Sequence, residues 1–364
     1  MEKHDILYYR GWFIMINKNN SQRDYNMDLL RILAALMVVF IHVSAHNFIN
    51  TPTKSIEWLS YDMYDSIVRS AVPIFLMISG VFFLNDKIQS NLKKLYTKNI
   101  FRLVLVFVIW SFIYALFCVY TKRIDTGSFL SSLITGHFHL WFMPVIIGIY
   151  IISPFIYRFI KNSDEKIFKY FLIIFISSSL LKTISYLQFL PYYEYITLFL
   201  KLLPIDIICN YYSFFILGYF LYNYKVSKKF TKSIYILSVV SVFLCFIGCY
   251  ILSRYLGYNN SDLMKDFSIF TVIEAMGIFL FFKNHNFAGK SVFSKRVTDI
   301  SNCTLGIYMI HMLIMYILFD CNLIQIRSFN TILSVPIISI LIFIISLVIV
   351  YLIKKIKFIG KWLF

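Results

Sequence analysis

Three polar residues in the first long apolar segment have the types and the spacing of a catalytic site. Asp28, Arg31 and His42 lie within residues 27–49, a stretch that is otherwise largely apolar and long enough to cross a membrane as a helix. Arg31 and His42 are eleven positions apart. That is about three helical turns, so both side chains lie on one face, about 16 Å apart along the axis. Asp28 shares this face. The spacing predicts a site that binds an anion at one depth and transfers a proton through an imidazole at another.

The composition indicates that these residues belong to a polytopic membrane protein. Of the 364 residues, 59% are hydrophobic, and the mean hydropathy is +0.73, which is too apolar for a soluble domain of this size. A net charge of +17 would suggest nucleic acid as the partner of a soluble protein. Here the basic residues cluster in alternate connections, as the positive-inside rule requires. We therefore predict an all-α, multi-pass protein of the lipid bilayer with no nucleic-acid partner.

Ten segments are long and apolar enough to be membrane-spanning helices. They lie near residues 27–49, 66–85, 100–121, 139–160, 167–186, 205–224, 232–254, 267–283, 299–320 and 331–353. The lysine-rich connections alternate with lysine-poor ones, which places both termini in the cytoplasm. The lysine-poor connections, predicted to be outer loops, contain the acidic residues Glu57, Asp62 and Asp65. The predicted organisation is a cytoplasmic leader (1–26), a transmembrane domain (27–353) and a basic cytoplasmic tail (354–364). Met15 and Met27 are alternative start sites.

Other segments also bring polar side chains to the membrane edge or into its interior. Arg69 lies four residues before Pro73 at the start of the second predicted span. The remaining polar residues of this kind are Lys98 and Arg102 at the cytoplasmic start of the third span, His137 and His139 at the outer start of the fourth, Glu274 in the eighth and His311 in the ninth. Intramembrane polar groups of this kind usually face a polar interior or mark a functional site.

These segments resemble, in order, the landmarks of the acyltransferase-3 family of integral membrane acyltransferases. The matching pieces are Asp28-Leu-Leu-Arg31 followed by His42, Val72-Pro-Ile-Phe-Leu-Met-Ile-Ser-Gly80, His139-Leu-Trp-Phe142 with Tyr150-Ile-Ile-Ser-Pro154, Tyr212-Ser-Phe-Phe-Ile-Leu-Gly218 and Leu305-Gly-Ile-Tyr-Met-Ile-His311. Each piece alone is a weak signal, and their order across ten spans makes the match specific. The resemblance covers residues 24–353 and is closest to the stand-alone branch that O-acetylates surface glycans.

The resemblance implies transfer of an acetyl group to a hydroxyl of a cell-surface or lipid-linked glycan at the bacterial plasma membrane. The donor would be cytoplasmic acetyl-CoA, a co-substrate rather than a permanently bound cofactor. Succinyl or another short acyl group would use the same geometry. Arg31, Lys98 and Arg102 lie at the predicted cytoplasmic edge, where they would bind the CoA phosphates. The distance from Arg31 to His42 is comparable to an extended pantetheine arm. Two roles fit His42: general base on the sugar hydroxyl, or transient acyl carrier.

Further side chains are candidates for binding the substrate or the oxyanion that develops on the carbonyl. They are Asp28, Arg69, Ser79, His139, Tyr308 and His311. Several of them also have a simpler, structural interpretation. Asp28 could interact with the helix dipole or with Arg31. His139 could be an interfacial residue, and His311 could be a polar packing group. Glu274 is either a functional carboxyl or a protonated, hydrogen-bonded one. His46 and His137 are interpreted as solvated interface residues. No Cys/His set has metal-ligand spacing, so no metal site is predicted.

Two other classes of function fit the composition. A transporter of a lipid-linked sugar or polysaccharide would also have ten spans and buried charges. A sensor or assembly subunit would keep the fold without the activity. The pairing of Arg31 and His42 on one helix face favours the enzyme, because neither alternative needs an anion-binding group and an imidazole at that separation.

Overall fold

The chain folds into a bundle of packed helices. The computed structural model describes residues 13–15, 23–285, 287, 291–356, 360, 363 and 364. The α-helices of these residues are α1 Tyr25–Ala45, α2 Ile56–Val68, α3 Ala71–Phe83, α4 Asp86–Gln89, α5 Leu92–Lys94, α6 Phe101–Tyr120, α7 Phe129–Thr135, α8 Phe142–Lys161, α9 Glu165–Ile184, α10 Tyr193–Leu202, α11 Ile205–Ile208, α12 Tyr211–Asn223, α13 Lys228–Leu256, α14 Ile269–Asn284, α15 Ser291–Asp320 and α16 Thr331–Lys355.

The other regular elements are short. A π-helical turn, Leu95–Ile100, leads directly into α6. The 3₁₀ turns are Thr126–Ser128, Phe138–Trp141, Asp262–Met264 and Ile326–Ser328. Strands β1 Phe13–Met15 and β2 Tyr224–Val226 form one antiparallel pair, in which Ile14 lies opposite Lys225.

The long helices confirm an all-α, multi-pass membrane fold. Within the described ranges, eight helical stretches are long and apolar enough to span a bilayer: Tyr25–Ala45, Ile56–Phe83, Leu92–Tyr120, Thr126–Lys161, Glu165–Ile184, Lys228–Leu256, Ser294–Asp320 and Thr331–Lys355. The predicted sixth and eighth spans correspond to α12 and α14, which have only 13 and 16 residues. The predicted count of ten is therefore approximate. Large apolar side chains such as Phe243 and Ile247 of α13 point outward, as a lipid-facing surface requires.

The second predicted span differs most from the structure. Its helix begins at Ile56, ten residues before the predicted start, and Asp62 and Asp65 are only 0% and 1% exposed inside it. The interpretation of these acids as outer-loop residues is wrong. Two carboxyl groups lower the hydropathy of the segment, but Asp65 forms an ion pair with Arg69 one turn later, and this pairing stabilises the helix.

Contacts between distant segments define one side of the bundle, which we call the lysine-rich side. The helix α1 begins there, where the Asp24 carboxylate caps it and accepts a hydrogen bond of 2.6 Å from the Tyr222 hydroxyl at the end of α12. Lys161, at the end of α8, pairs with Asp86 at 2.5 Å. Lys283, at the end of α14, donates to the Tyr224 carbonyl oxygen just after α12, so basic residues of separate connections lie on this side. Most of the predicted leader and part of the predicted tail lie outside the described residues.

Two glycines allow α3 and α12 to pack backbone against backbone. A Cβ atom added to Gly80 would lie 1.8 Å from the Phe215 carbonyl oxygen, and one added to Gly218 would lie 2.1 Å from the Met77 carbonyl oxygen. Small residues permit such close helix contacts in membranes. The α3–α12 pair is therefore a fixed unit beside α1.

Candidate active site

A cavity of about 380 Å³ lies at the His42 end of α1, opposite the lysine-rich side. We call it the histidine cavity. Its titratable lining residues are His42, Arg69, His139, Lys265 and Asp266, and its aromatic ones are Trp141, Phe142, Tyr186, Tyr211, Phe267 and Tyr308. A mainly apolar wall with a few convergent polar groups is the usual character of a small-molecule site.

Three imidazoles from separate elements meet beside this cavity. His42 of α1 lies with its ring centroid 5.1 Å from that of His311 and 6.2 Å from that of His139, and the His139 and His311 centroids are 5.3 Å apart. His139 comes from the 3₁₀ turn before α8, and His311 from the middle of α15. Both are only 1% exposed. The structure thus brings together three histidines that are up to 269 positions apart in the chain.

The backbone of α15 determines which nitrogen of His311 carries the proton. His311 Nδ1 lies 3.1 Å from the Ile307 carbonyl oxygen and 2.8 Å from the Tyr308 carbonyl oxygen. A carbonyl oxygen only accepts, so Nδ1 is the donor and Nε2 has a lone pair. Among the described residues, Nε2 has no hydrogen-bond partner. His311 therefore presents an unused acceptor beside the His42 ring.

His137 is part of the same cluster, and its interpretation as a solvated interface residue is wrong. Its Nδ1 lies 2.7 Å from Nδ1 of His139, and its Nε2 lies 3.2 Å from the Tyr316 hydroxyl. The Tyr114 ring stacks on the imidazole with centroids 4.6 Å apart. His137 is half-buried in this position because three neighbouring side chains cover it.

Arg69 is held at the cavity by the break between α2 and α3. Pro73 has no N–H group, and its ring clashes with the carbonyl four residues earlier, which belongs to Arg69, so α2 ends at Val68. The guanidinium of Arg69 donates to the Asp65 carboxylate. Its Nε atom has no partner within the described part of the chain. Arg69 therefore has a donor available at the cavity.

The opposite wall carries an acidic group among aromatic rings. The Tyr211 hydroxyl donates to Asp266 Oδ2 at 2.8 Å, and the Trp141 and Tyr211 rings lie with centroids 5.3 Å apart. Burial raises the pKa of Asp266, against the opposing effects of the Tyr211 hydroxyl and Arg69. Arg69 and Asp266 are thus a donor and an acceptor on one cavity that is otherwise walled by rings.

A second cavity, of about 320 Å³, lies on the lysine-rich side. Its lining includes Phe82, Asn85, Lys87, Lys94 and Lys98, and we call it the lysine cavity. The guanidinium carbon of Arg31 lies 5.5 Å from the centroid of the Phe82 ring. Three ammonium groups and a nearby guanidinium favour a polyanionic ligand. Lys98 and Arg31 are therefore associated with one cavity.

Asp28 and Arg102 have partners elsewhere on the lysine-rich side. Asp28 accepts hydrogen bonds from Arg23 Nε at 2.5 Å and from the Ser301 hydroxyl at 2.7 Å, which tie α1 to α15, and Arg31 Nη1 lies 3.6 Å away. Arg102 donates to the Phe364 carbonyl oxygen and does not line the lysine cavity. Asp28 is therefore at the other end of α1 from His42.

Ser79, Tyr308 and Glu274 occupy three different environments. The Ser79 hydroxyl donates to the Phe75 carbonyl at 2.8 Å within its own helix, away from the histidine cavity. Tyr308 lines that cavity, and its hydroxyl donates to the His139 carbonyl oxygen. Glu274 is 3% exposed and accepts from the Ser70 hydroxyl at 2.8 Å. Glu274 thus connects α14 to the break that holds Arg69.

Several residues of the site are not among the candidates that the sequence predicts. The sequence predicts an outer loop at Asp65, and Asp266 and Tyr211 lie outside the polar patterns of the predicted spans. Trp141 lies within the His139–Phe142 landmark, which was the available clue for it. Within the described ranges, no group of three or more His, Cys, Asp or Glu side chains is arranged to hold a metal ion.

Comparison with known proteins gives one match. A protein-family model with the description "Acyltransferase domain" matches residues 24–351 of the chain. No curated protein and no solved structure matches. The matched range contains α1 through most of α16 and hence both cavities.

Proposed function

The chain belongs to the acyltransferase-3 family and is a multi-pass membrane acyltransferase, and from this premise we propose that it acylates a glycan. The donor is acyl-CoA, most simply acetyl-CoA, bound at the lysine cavity. The acceptor is a hydroxyl of a cell-surface or lipid-linked glycan bound in the histidine cavity. Acetyl and other short acyl groups place the same thioester carbonyl at the same depth.

The observation that carries this proposal is the position of two chemically different cavities at opposite ends of α1. The Arg31 guanidinium lies against the ring of Phe82, which lines the lysine cavity. His42 lines the histidine cavity. The cations at one end are complementary in charge to the CoA phosphates. The imidazoles at the other end are side chains that can accept and return a proton. The two residues are about 16 Å apart along one helix, a distance that an extended pantetheine arm bridges.

The transfer step follows from these positions. With the thioester carbonyl beside His42, the imidazole takes the proton of the sugar hydroxyl while the hydroxyl oxygen attacks the carbonyl carbon. The negative charge on the carbonyl oxygen is stabilised by N–H donors at the cavity, among them Arg69. The carbon–sulfur bond then breaks, and the imidazolium returns the proton to the leaving thiolate. The products are the O-acyl glycan and free CoA, with no net proton released.

The cavity wall suits a sugar. Trp141, Phe142, Tyr211 and Phe267 supply flat apolar faces that a pyranose ring covers with its C–H groups. Arg69 and Asp266 supply a donor and an acceptor for hydroxyl groups. This combination favours a carbohydrate over a purely apolar or a highly charged acceptor.

The lysine-rich side is proposed to be cytoplasmic. Loops rich in Lys and Arg remain on the cytoplasmic side during insertion, and acyl-CoA is made in the cytoplasm. The histidine cavity then lies toward the outer face of a bacterial plasma membrane. Transfer would occur on the glycan at that outer depth.

The proposal is tested by measuring ester-linked acetate on the surface glycan of a host that lacks its own copy. We expect alkali-labile acetate with the wild type and none with an empty vector. Isolated vesicles separate the two sides: labelled acetyl-CoA, which does not cross membranes, should label glycan only when the cytoplasmic face points outward. If glycan export depends on the protein while no ester forms, the protein is a transporter and the proposal is wrong.

Removing charge from the lysine cavity should weaken donor binding. We expect the double substitution Lys94→Gln/Lys98→Gln to raise the KM for acetyl-CoA about tenfold, because each exposed ammonium–phosphate contact contributes up to about 1 kcal/mol. The maximal rate should stay near that of the wild type. Lys93→Gln is the matched control, since Lys93 is adjacent but does not line the cavity. Equal KM values for the double variant and the control would place the CoA phosphates elsewhere.

A further inference from the structure

His137 connects Tyr316 to His139 through the two nitrogens of its ring. Its Nε2 lies 3.2 Å from the Tyr316 hydroxyl, and its Nδ1 lies 2.7 Å from Nδ1 of His139. The three side chains therefore form one hydrogen-bonded chain that runs from α15, through the segment before α8, to the edge of the histidine cavity. Within the described ranges, Nε2 of His139 has no partner, although it is buried.

The direction of the hydrogen bonds follows from the available donors and acceptors. The Tyr316 hydroxyl has one proton, and His137 Nε2 is its hydrogen-bond partner. If Tyr316 donates, then Nε2 of His137 accepts, and the single proton of a neutral His137 lies on Nδ1. That proton is donated to Nδ1 of His139. His139 must then carry its own proton on Nε2.

The reverse direction leaves a proton without an acceptor. It would require His137 Nε2–H to donate to the Tyr316 oxygen, and the tyrosine proton would then have no partner among the described side chains and carbonyls. A buried donor without a partner costs about 1–3 kcal/mol. The first direction satisfies every group of this hydrogen-bonded chain except Nε2 of His139.

Both hydrogen-bond partners of His137, the His139 ring and the Tyr316 hydroxyl, are groups without negative charge, so neither stabilises an imidazolium at this position. The guanidinium carbon of Arg123 lies 4.0 Å from the centroid of the Tyr316 ring, and Arg123 pairs with Asp320 at 2.6 Å. The positive charge of Arg123 disfavours protonation of His137, because two cations would then lie close together. It also polarises the Tyr316 ring and makes its hydroxyl a better donor.

We propose that the chain Tyr316–His137–His139 fixes the tautomer of His139, so that His139 Nε2–H is a hydrogen-bond donor to the oxyanion. In this arrangement His139 and His311 have opposite tautomers. His311 presents a lone pair and His139 presents a proton, on either side of His42. Tyr316 and His137 are positioning residues, and His139 is the group that contacts the reacting carbonyl oxygen. The inference rests on the proposed function only for the identity of that oxygen.

A double-mutant comparison tests the role of the chain in transfer. Tyr316→Phe should lower the rate at saturating acetyl-CoA about tenfold and leave the KM for acetyl-CoA unchanged. This loss is smaller than the roughly hundredfold effect of removing an oxyanion donor. The reason is that His139, when its hydrogen bonds no longer fix the tautomer, still has the proton on Nε2 part of the time. His139→Gln supplies an amide N–H donor that has no tautomers. In that background, Tyr316→Phe should change the rate less than about twofold.

Tyr64→Phe is the control for Tyr316→Phe. Tyr64→Phe removes a hydroxyl that donates to the Ile332 carbonyl at 2.5 Å, away from the histidines, and should keep the wild-type rate. Equal losses from Tyr316→Phe in both backgrounds would make Tyr316 a packing residue and overturn the proposal. No loss in the wild-type background would also overturn it.

A spectroscopic measurement separates this inference from the transfer reaction. In protein labelled with ¹⁵N-histidine, the His139 signals are identified by their loss in His139→Gln. We expect Nε2 of His139 in the protonated range and Nδ1 in the acceptor range, and Tyr316→Phe should move both toward intermediate values. The opposite assignment would overturn the inference even if the protein acylates its glycan. The expected assignment would support it even if no acyl transfer were found.

Discussion

His42→Gln is expected to lower ester formation on the glycan at least about a hundredfold while the protein reaches normal membrane levels. A general base typically contributes 10²–10⁴-fold to a rate, and a glutamine amide fills similar space without accepting a proton. His42 also lines the cavity where the acceptor is proposed to bind, beside the imidazoles of His139 and His311. The measurement is alkali-labile acetate per unit of protein in a host without its own copy.

The matched control for this variant lies one turn further along the chain. His46 follows the end of α1, is exposed, and contacts the Phe319 ring with centroids 5.0 Å apart. His46→Gln should keep the wild-type activity. Activity of His42→Gln close to that of the wild type would exclude His42 as base and as acyl carrier. These two roles are separated by incubating the wild type with labelled donor and no acceptor: an acyl carrier retains label on the protein, and a general base does not.

Gly80→Ala is expected to prevent normal assembly of the bundle. The added methyl carbon would lie 1.8 Å from the Phe215 carbonyl oxygen, and α12 would have to move away from α3 along their whole contact. Overpacking of a side chain costs about 1–3 kcal/mol. Here the obstacle is backbone rather than a mobile side chain, so we expect a loss of about 3 kcal/mol or more. Folded protein in detergent extracts, measured by size-exclusion chromatography and thermal unfolding, should fall sharply.

Gly148 provides the comparison. It lies on α8, is exposed, and a Cβ atom there would meet nothing within 4 Å. Gly148→Ala should therefore leave the unfolding temperature unchanged or slightly higher, since alanine favours a helix. If Gly80→Ala and Gly148→Ala unfold at the same temperature, the close packing of α3 and α12 is not needed for stability.

The part of the site that lies on one helix was readable from the sequence. The positions of Arg31 and His42 depend only on the regular geometry of α1, so their spacing was enough to place them. The all-α, multi-pass fold followed from hydropathy, because a segment that crosses a bilayer must be long and apolar, whereas the predicted count of ten was only approximate. The distribution of polar groups over later spans gave candidates such as His139 and His311, and the structure brings both beside His42.

The rest depended on contacts that no local pattern encodes. Asp65 lowers the hydropathy of its segment, and its burial depends on an ion pair with Arg69 that a window average does not detect. The sequence predicts an interface position for His137, because its partners Tyr316 and Tyr114 come from other helices and leave no local pattern. Arg102 and Lys98 are four positions apart, yet only Lys98 lines the lysine cavity.

The position of the two cavities at opposite ends of α1 also determines how the protein would respond to inhibitors. If donor and acceptor bind as proposed, a compound that fills the lysine cavity competes with the CoA phosphates, and one that fills the histidine cavity competes with the acceptor and with the acyl end of the donor beside His42. Because neither compound blocks the site of the other, the two can bind together, and their effects should multiply. A substitution that confers resistance to one compound would leave sensitivity to the other intact, since the two cavities have no lining residue in common.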